Sequence, residues 1–144
     1  MLKLLLICNE AGIPFFSRKF AGDLDVDPLL FSGLISAIEN IGHALFKQKI
    51  ATITYGEQSS FLSESTLNQI VVITKEMFST GKCVNFVFVC SGNYEVRGFR
   101  EIATTLFVAI KPMFQLEVPD GVAIRKRVNA IIENQLGGLR KYVA

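Results

Sequence analysis

"DVDPLLFSGLISAIENIGHALF", residues 25–46, is the stretch that decides the fold. Asp27 followed by Pro28 puts an N-cap acceptor before a proline at the first helical position, so a helix starts there. Leu30, Leu34, Ala37 and Ile38, Ile41 and Leu45 then recur at helical spacing. They predict an apolar stripe that covers the protein's own sheet, with part of a second stripe for a partner. Ser32, Ser36, Glu39, Asn40 and His43 fall mostly off the stripe. Gly33 and Gly42 each cost about 1 kcal/mol relative to alanine in a helix interior. Glycine is tolerable there where a second backbone approaches closely, from the sheet or from another protein's helix.

The flanks on both sides read as strands. Upstream, "LKLLLIC" (2–8) is a buried-type strand and "NEAGI" a turn. "PFFSRKF" (14–20) is a second strand, with Phe16, Arg18 and Phe20 on one face and Phe15, Ser17 and Lys19 on the other. Pro14 suits a strand start or a sheet edge. Aromatics on both faces of an edge strand suggest a partner, and replacing Phe16 by Asp is then expected to leave the fold intact.

Downstream the period changes to two. "KIATITYG" is a strand, "QSSFLSES" (58–65) a short polar one, and "LNQIVVITK" (67–75) and "CVNFVFVCS" (83–91) are strong β-branched and aromatic strands. The last two are expected to pair antiparallel. A second helix, capped by Ser91 or Asn93, runs to Lys111-Pro112 with Phe99, Ile102, Ala103, Leu106 and Ile110 on its stripe. Asp120 opens a third helix over 121–136, with Ile124, Val128, Ile131, Ile132 and Gln135 inward, and Gly137-Gly138 ends it. Without linker or repeat, residues 1–144 form one α/β domain.

The composition is 50% hydrophobic with a mean hydropathy of +0.39, yet no uninterrupted apolar run approaches the ~18 residues of a membrane helix. The surplus belongs in strands buried on both faces, or on a face that a partner covers. A net charge of +2 is too mild to argue for nucleic acid. Three cysteines without a Cys-x-x-Cys pair, and a single histidine, His43, give no zinc spacing; reduced thiols in a cytoplasmic protein are expected.

Few motifs carry chemistry. "FSTGKC" (78–83) lacks the upstream glycine and the following Ser or Thr of a phosphate loop, and it joins strand to strand. Asp23, Asp25 and Asp27 lack the glycine and distal glutamate of a calcium loop. "SGN" (91–93) reads as a cap rather than an anion site. His43 has no sequence-evident catalytic partner. Arg125, Lys126 and Arg127 form a basic cluster that leaves peripheral membrane association open. No cofactor, metal ligand or catalytic residue is assigned, and no transmembrane segment.

The order strand-strand-helix-strands-helix-helix is similar to the longin domain, a relative of the roadblock domain. Residues 27–46, followed by Lys49, Ile50, Ile53, Tyr55 and Gly56, resemble the first helix and next strand of longin- and roadblock-like proteins of archaea related to the eukaryotic lineage. The resemblance implies a longin-like (profilin-like) α-β-α sandwich. Its antiparallel sheet would have five or six strands, one long helix on one face and two C-terminal helices. It also implies a non-catalytic platform that forms homo- or heterodimers with longin or roadblock domains and binds small Ras-like GTPases or membrane-trafficking proteins. The partner surface expected from sequence is Phe15, Phe16, Arg18 and Phe20 on the edge strand, with Gly33, Ser36, Ala37 and Gly42 on the helix. The alternative is a PAS-like or profilin-like ligand sensor, for which Ser59, Ser60 and Asn85 would be polar groups inside the sheet.

Overall fold

The computed structural model describes residues 2–20, 26–49, 52–55, 68–77, 81–92, 94–115 and 121–134. Along the chain run β1 (Leu2–Asn9), β2 (Pro14–Lys19), α1 (Pro28–Phe46), β3 (Thr52–Tyr55), β4 (Asn68–Glu76), β5 (Cys83–Ser91), α2 (Val96–Ile110), a 3-10 turn (Lys111–Gln115) and α3 (Gly121–Asn134). The strands form one antiparallel sheet in the order β2-β1-β5-β4-β3, so β1 is inserted between its hairpin partner and the last strand. Helix α1 covers one face; α2 and α3 cover the other. This is the expected α-β-α sandwich, with five strands in the sheet among the described residues. The short strand expected at 58–65 lies outside the described residues, as do Ser59, Ser60, Asp23, Asp25, Asn93, Asp120 and Gln135.

The strongest apolar runs occupy the middle of the sheet because they are buried on both sides. Leu5, Ile7, Val71, Ile73, Phe86 and Phe88 face α2 and α3; Leu6, Cys8, Ile70, Val72 and Val87 face α1. The α2–α3 side holds 22 of the described core residues and the α1 side six. The two C-terminal helices therefore carry most of the hydrophobic stabilisation. Phe99, Ile102, Ala103, Leu106 and Ile110 of α2, and Ile124, Val128, Ile131 and Ile132 of α3, are all buried, as their spacing predicts.

The second strand departs from simple alternation. Ile7 pairs with Phe16 but Cys8 pairs with Pro14, so Phe15 is an extra, bulged residue. The bulge puts Phe15 and Phe16 on the same side of the sheet. Phe16 enters the core at 3% exposure, and Phe15 meets Phe114 edge-on at 5.0 Å. The expectation that Phe15 lies on the opposite face from Phe16 is overturned by this one-residue shift, and Phe16, expected to face a partner, is in the core.

Helix α1 starts where the sequence places it. Asp27 Oδ1 accepts the Leu29 N–H at 2.9 Å, with Pro28 at N1. Lys47 ends the helix in the left-handed region (φ 57°), its N–H donating to His43 O. The α2 start is different from the expectation: its N-cap is Glu95, without a side-chain cap bond.

Gly12, in the β1–β2 turn, has φ +82°, and a Cβ there would lie 3.0 Å from Gly33 Cα and 3.1 Å from Ser32 O. The turn is thus pressed against the α1 backbone. Gly12→Ala combines a left-handed conformation with a backbone clash and is expected to cost roughly 1–3 kcal/mol. A urea midpoint unchanged from the wild type would show that the turn does not touch α1 this closely.

Candidate interaction surface

The apolar stripe of α1 points the opposite way from the expectation. Leu30, Leu34, Ile41 and Leu45 are 73, 53, 57 and 70% exposed, and Ala37 and Ala44 are exposed between them. Ile35 and Ser32 are the buried residues of the helix, with Phe31 packed partly against the sheet. Three of the polar residues expected off the stripe, Ser32, Ser36 and Glu39, are the ones that hold the helix down, while Asn40 and His43 are exposed as expected. Ser32 Oγ donates to Gly12 O at 2.6 Å, and Ser36 Oγ donates to Glu10 O at 2.7 Å. One turn on, Glu39 Oε2 accepts from Asn85 Nδ2 at 2.8 Å, and Thr74 Oγ1 lies 2.8 Å from Asn85 Oδ1 and 3.3 Å from Glu39 Oε1. Two serines four residues apart face two turn carbonyls, and a carboxylate faces the amide of the buried Asn85. These directional bonds fix the rotation of α1 about its axis.

The outward stripe has the spacing of a helix-packing seam. Leu30, Leu34, Ala37, Ile41 and Ala44 follow each other at four, three, four and three residues, which keeps one line of side chains facing a second helix. A Cβ on Gly33 would meet nothing within 4 Å, so this glycine opens space on the outside of α1. Gly42 is used internally: a Cβ there would meet Gln48 O at 3.5 Å, where the chain turns back. Beside it lies a shallow groove between α1 and the edge strand β3, lined by Ile38, Ile41, Gly42, Phe46, Lys49 and Ile53. By length and mean hydropathy alone (19 residues, 1.4), α1 also suffices to cross a membrane. In the fold it lies along the sheet, bonded through Ser32, Ser36 and Glu39.

The residues expected on the edge strand are engaged within the chain. Phe16 is in the core and Phe15 meets Phe114 edge-on. Arg18 Nη1 donates to Asn129 Oδ1 of α3 at 3.1 Å and lies 3.5 Å from Glu133, while its guanidinium sits over Phe20 at 5.3 Å. Of the eight sequence-predicted residues, the structure brings the four on β2 and after it against α3 and its approach. Ser36 goes to a turn carbonyl, and Gly33 and Ala37 are exposed on α1. Leu30, Leu34, Ile41 and Leu45 replace them as the main apolar surface. Their helical spacing is plain in the sequence, but spacing alone places them against the sheet.

Of the "FSTGKC" segment, residues 78–80 lie outside the described residues; on either side of them Gly81 N–H is bonded to Met77 O and Met77 N–H to Lys82 O, between the paired strands β4 and β5. Asp27 is a cap, and His43 is exposed on α1. Asn85, the polar group a ligand sensor would use, is closed by Glu39 and Thr74. Gln69 Oε1 accepts the Tyr94 N–H at 3.2 Å.

The three thiols are free. Burial, with the Glu39 charge adding to it, pushes Cys8 up from 9.0 to about 12, and burial pushes Cys90 up to about 11. Both are inert in the folded state. Cys83 is part-exposed, 3.8 Å from Lys49 Nζ, and is expected to be the one thiol that a disulfide reagent titrates without denaturant. As pH rises, the unfolded chain ionises its thiols first, near 9. The stabilisation from Cys8 and Cys90 is whole below that pH and is lost as pH passes through about 11 and 12. A double Cys8→Ala, Cys90→Ala variant should show a shallower alkaline fall in its urea midpoint. Equal slopes would contradict the assignment.

No family model matches the chain, and no curated protein is similar to it. Among solved structures, the gliding protein MglB from Thermus thermophilus superimposes with a TM-score of 0.43 and 12% identity, over 61% of this chain and 59% of that one. The chain thus spans less than two thirds of that protein. At this level of likeness, the architecture rests on the sheet order and helix layers described above.

Proposed function

We propose that the protein is a non-catalytic, cytoplasmic interaction module of longin type. It self-associates through the outer face of α1 and binds small Ras-like GTPases or trafficking-type partners. The observation that carries the reading is the outward apolar stripe of α1, opposite a polar inner side that ties the helix to its sheet. Contiguous apolar surface of this kind is rare on a monomer. A second copy matches it directly, because a two-fold contact sets the same stripe against itself; a longin or roadblock domain with a similar helix is the heterodimeric form. Gly33 allows close backbone approach at the seam. The GTPase as partner is supported by the resemblance of element order and of residues 27–56.

Light scattering of the full chain at rising concentration, followed by titration calorimetry against small Ras-like GTPases, tests both parts. The GTPases are loaded with GDP, loaded with a GTP analogue, or stripped of nucleotide. Self-association and a nucleotide-dependent heat are expected. A monomer at all concentrations rejects the α1 interface, and flat heats in every nucleotide state reject the GTPase.

A further inference from the structure

The helical layer opposite α1 has a different chemistry. Its described residues, 94–115 and 121–134, carry six Lys and Arg against three Glu, net +3, whereas residues 1–93 of the sequence carry seven Lys and Arg against eight Asp and Glu, net −1. Two acids of the layer are already engaged: Glu101 lies 3.6 Å from Arg97, and Glu133 lies 3.5 Å from Arg18. Arg100, Arg125, Lys126 and Arg127 are exposed, and among the described residues no acid pairs with them. The large apolar side chains exposed on α2 and α3 are Val108 and Val122, at 67 and 60%.

We propose that the outer face of α2 and α3 docks on an anionic lipid bilayer. The charge is spread along two helices. A protein partner of this size would be expected to seat a large aromatic or aliphatic anchor in a pocket, and the face offers two valines. Single-stranded nucleic acid would be expected to stack its bases on exposed aromatic rings, but Phe99, Phe107 and Phe114 are buried and the half-buried Tyr94 packs edge-on against Phe99. Long basic side chains with small apolar groups between them suit the headgroup region of an acidic leaflet. Each Lys or Arg near such a surface raises partitioning about five-fold, so these four contribute on the order of 10²–10³-fold. The face lies across the sheet from α1, so self-association through α1 leaves it free, and the inference stands apart from that reading.

Flotation of the full chain with phosphatidylcholine vesicles, with and without phosphatidylserine, tests it at low and high salt. The wild type should float only with phosphatidylserine and be released by salt. A combined Arg100→Glu, Arg125→Glu, Lys126→Glu, Arg127→Glu variant should lose binding by at least about 10²-fold with an unchanged circular dichroism spectrum. The milder Arg100→Gln, Lys126→Gln variant should lose about 25-fold, and it keeps the test decisive if the four-fold reversal does not fold. No flotation with phosphatidylserine overturns the proposal, as does flotation that survives charge reversal. Flotation lost on Leu34→Asp but not on charge reversal would place α1 on the lipid instead. Retention by nucleic acid or an acidic peptide without vesicle binding also overturns it.

Discussion

Phe16→Asp should unfold the protein. The side chain is 3% exposed and belongs to the core between the sheet and the C-terminal helices. Truncating a buried phenylalanine costs about 3–5 kcal/mol. An unpaired carboxylate in its place adds a desolvation penalty of several kcal/mol more. The whole stability of a domain is about 5–15 kcal/mol. Circular dichroism at neutral pH should therefore show loss of helix and strand signal together. Phe16→Leu, which keeps most of the volume, should cost less than about 1.5 kcal/mol and retain the spectrum. A folded Phe16→Asp protein of near-wild-type midpoint would mean that the side chain faces a partner rather than the core.

The error of strict alternation is instructive about what the sequence carries. Alternation assumes one residue per rung of the ladder. Between Ile7 and Cys8 the partner strand supplies one residue too many, and no residue type in "PFFSRKF" marks the bulge. Pro14 signals only that the strand is an edge. By contrast, features fixed by local chemistry were legible: the Asp27-Pro28 helix start, the β4–β5 hairpin, and the inner faces of α2 and α3. Each rests on neighbours within a few residues of one another. The direction of the α1 stripe is not local. Periodicity locates a stripe on a helix but not the side on which the sheet lies. Both sides of α1 are apolar enough to qualify, with Phe31 and Ile35 on one and Leu30, Leu34 and Ile41 on the other. The deciding residues are Ser32, Ser36 and Glu39, whose partners Gly12, Glu10 and Asn85 are 20, 26 and 46 residues away in sequence. Asn85 inside a strongly apolar strand was the available hint, since a buried amide needs a polar partner from the layer above it.

The orientation of α1 leads to the second expected result. A Leu34→Asp, Ile41→Asp variant should remain folded and lose self-association. Both side chains are more than half exposed, so their removal takes little from the core. Aspartate inside a helix costs roughly 0.7 kcal/mol per site. At a two-fold interface the same pair would remove four buried aliphatic side chains, each contributing about 1.5–3 kcal/mol. That sum, about 6–12 kcal/mol, is comparable with or larger than the roughly 8 kcal/mol that holds a micromolar dimer. Four facing carboxylates would add repulsion. Light scattering should give a monomer for the variant at concentrations where the wild type is dimeric, with matching circular dichroism spectra. A variant that still dimerises would move the interface off this face, leaving the short edge strand β3 as the next candidate. A variant that unfolds would show that the stripe covers the sheet after all, and that the bonds of Ser32, Ser36 and Glu39 do not set the rotation of the helix.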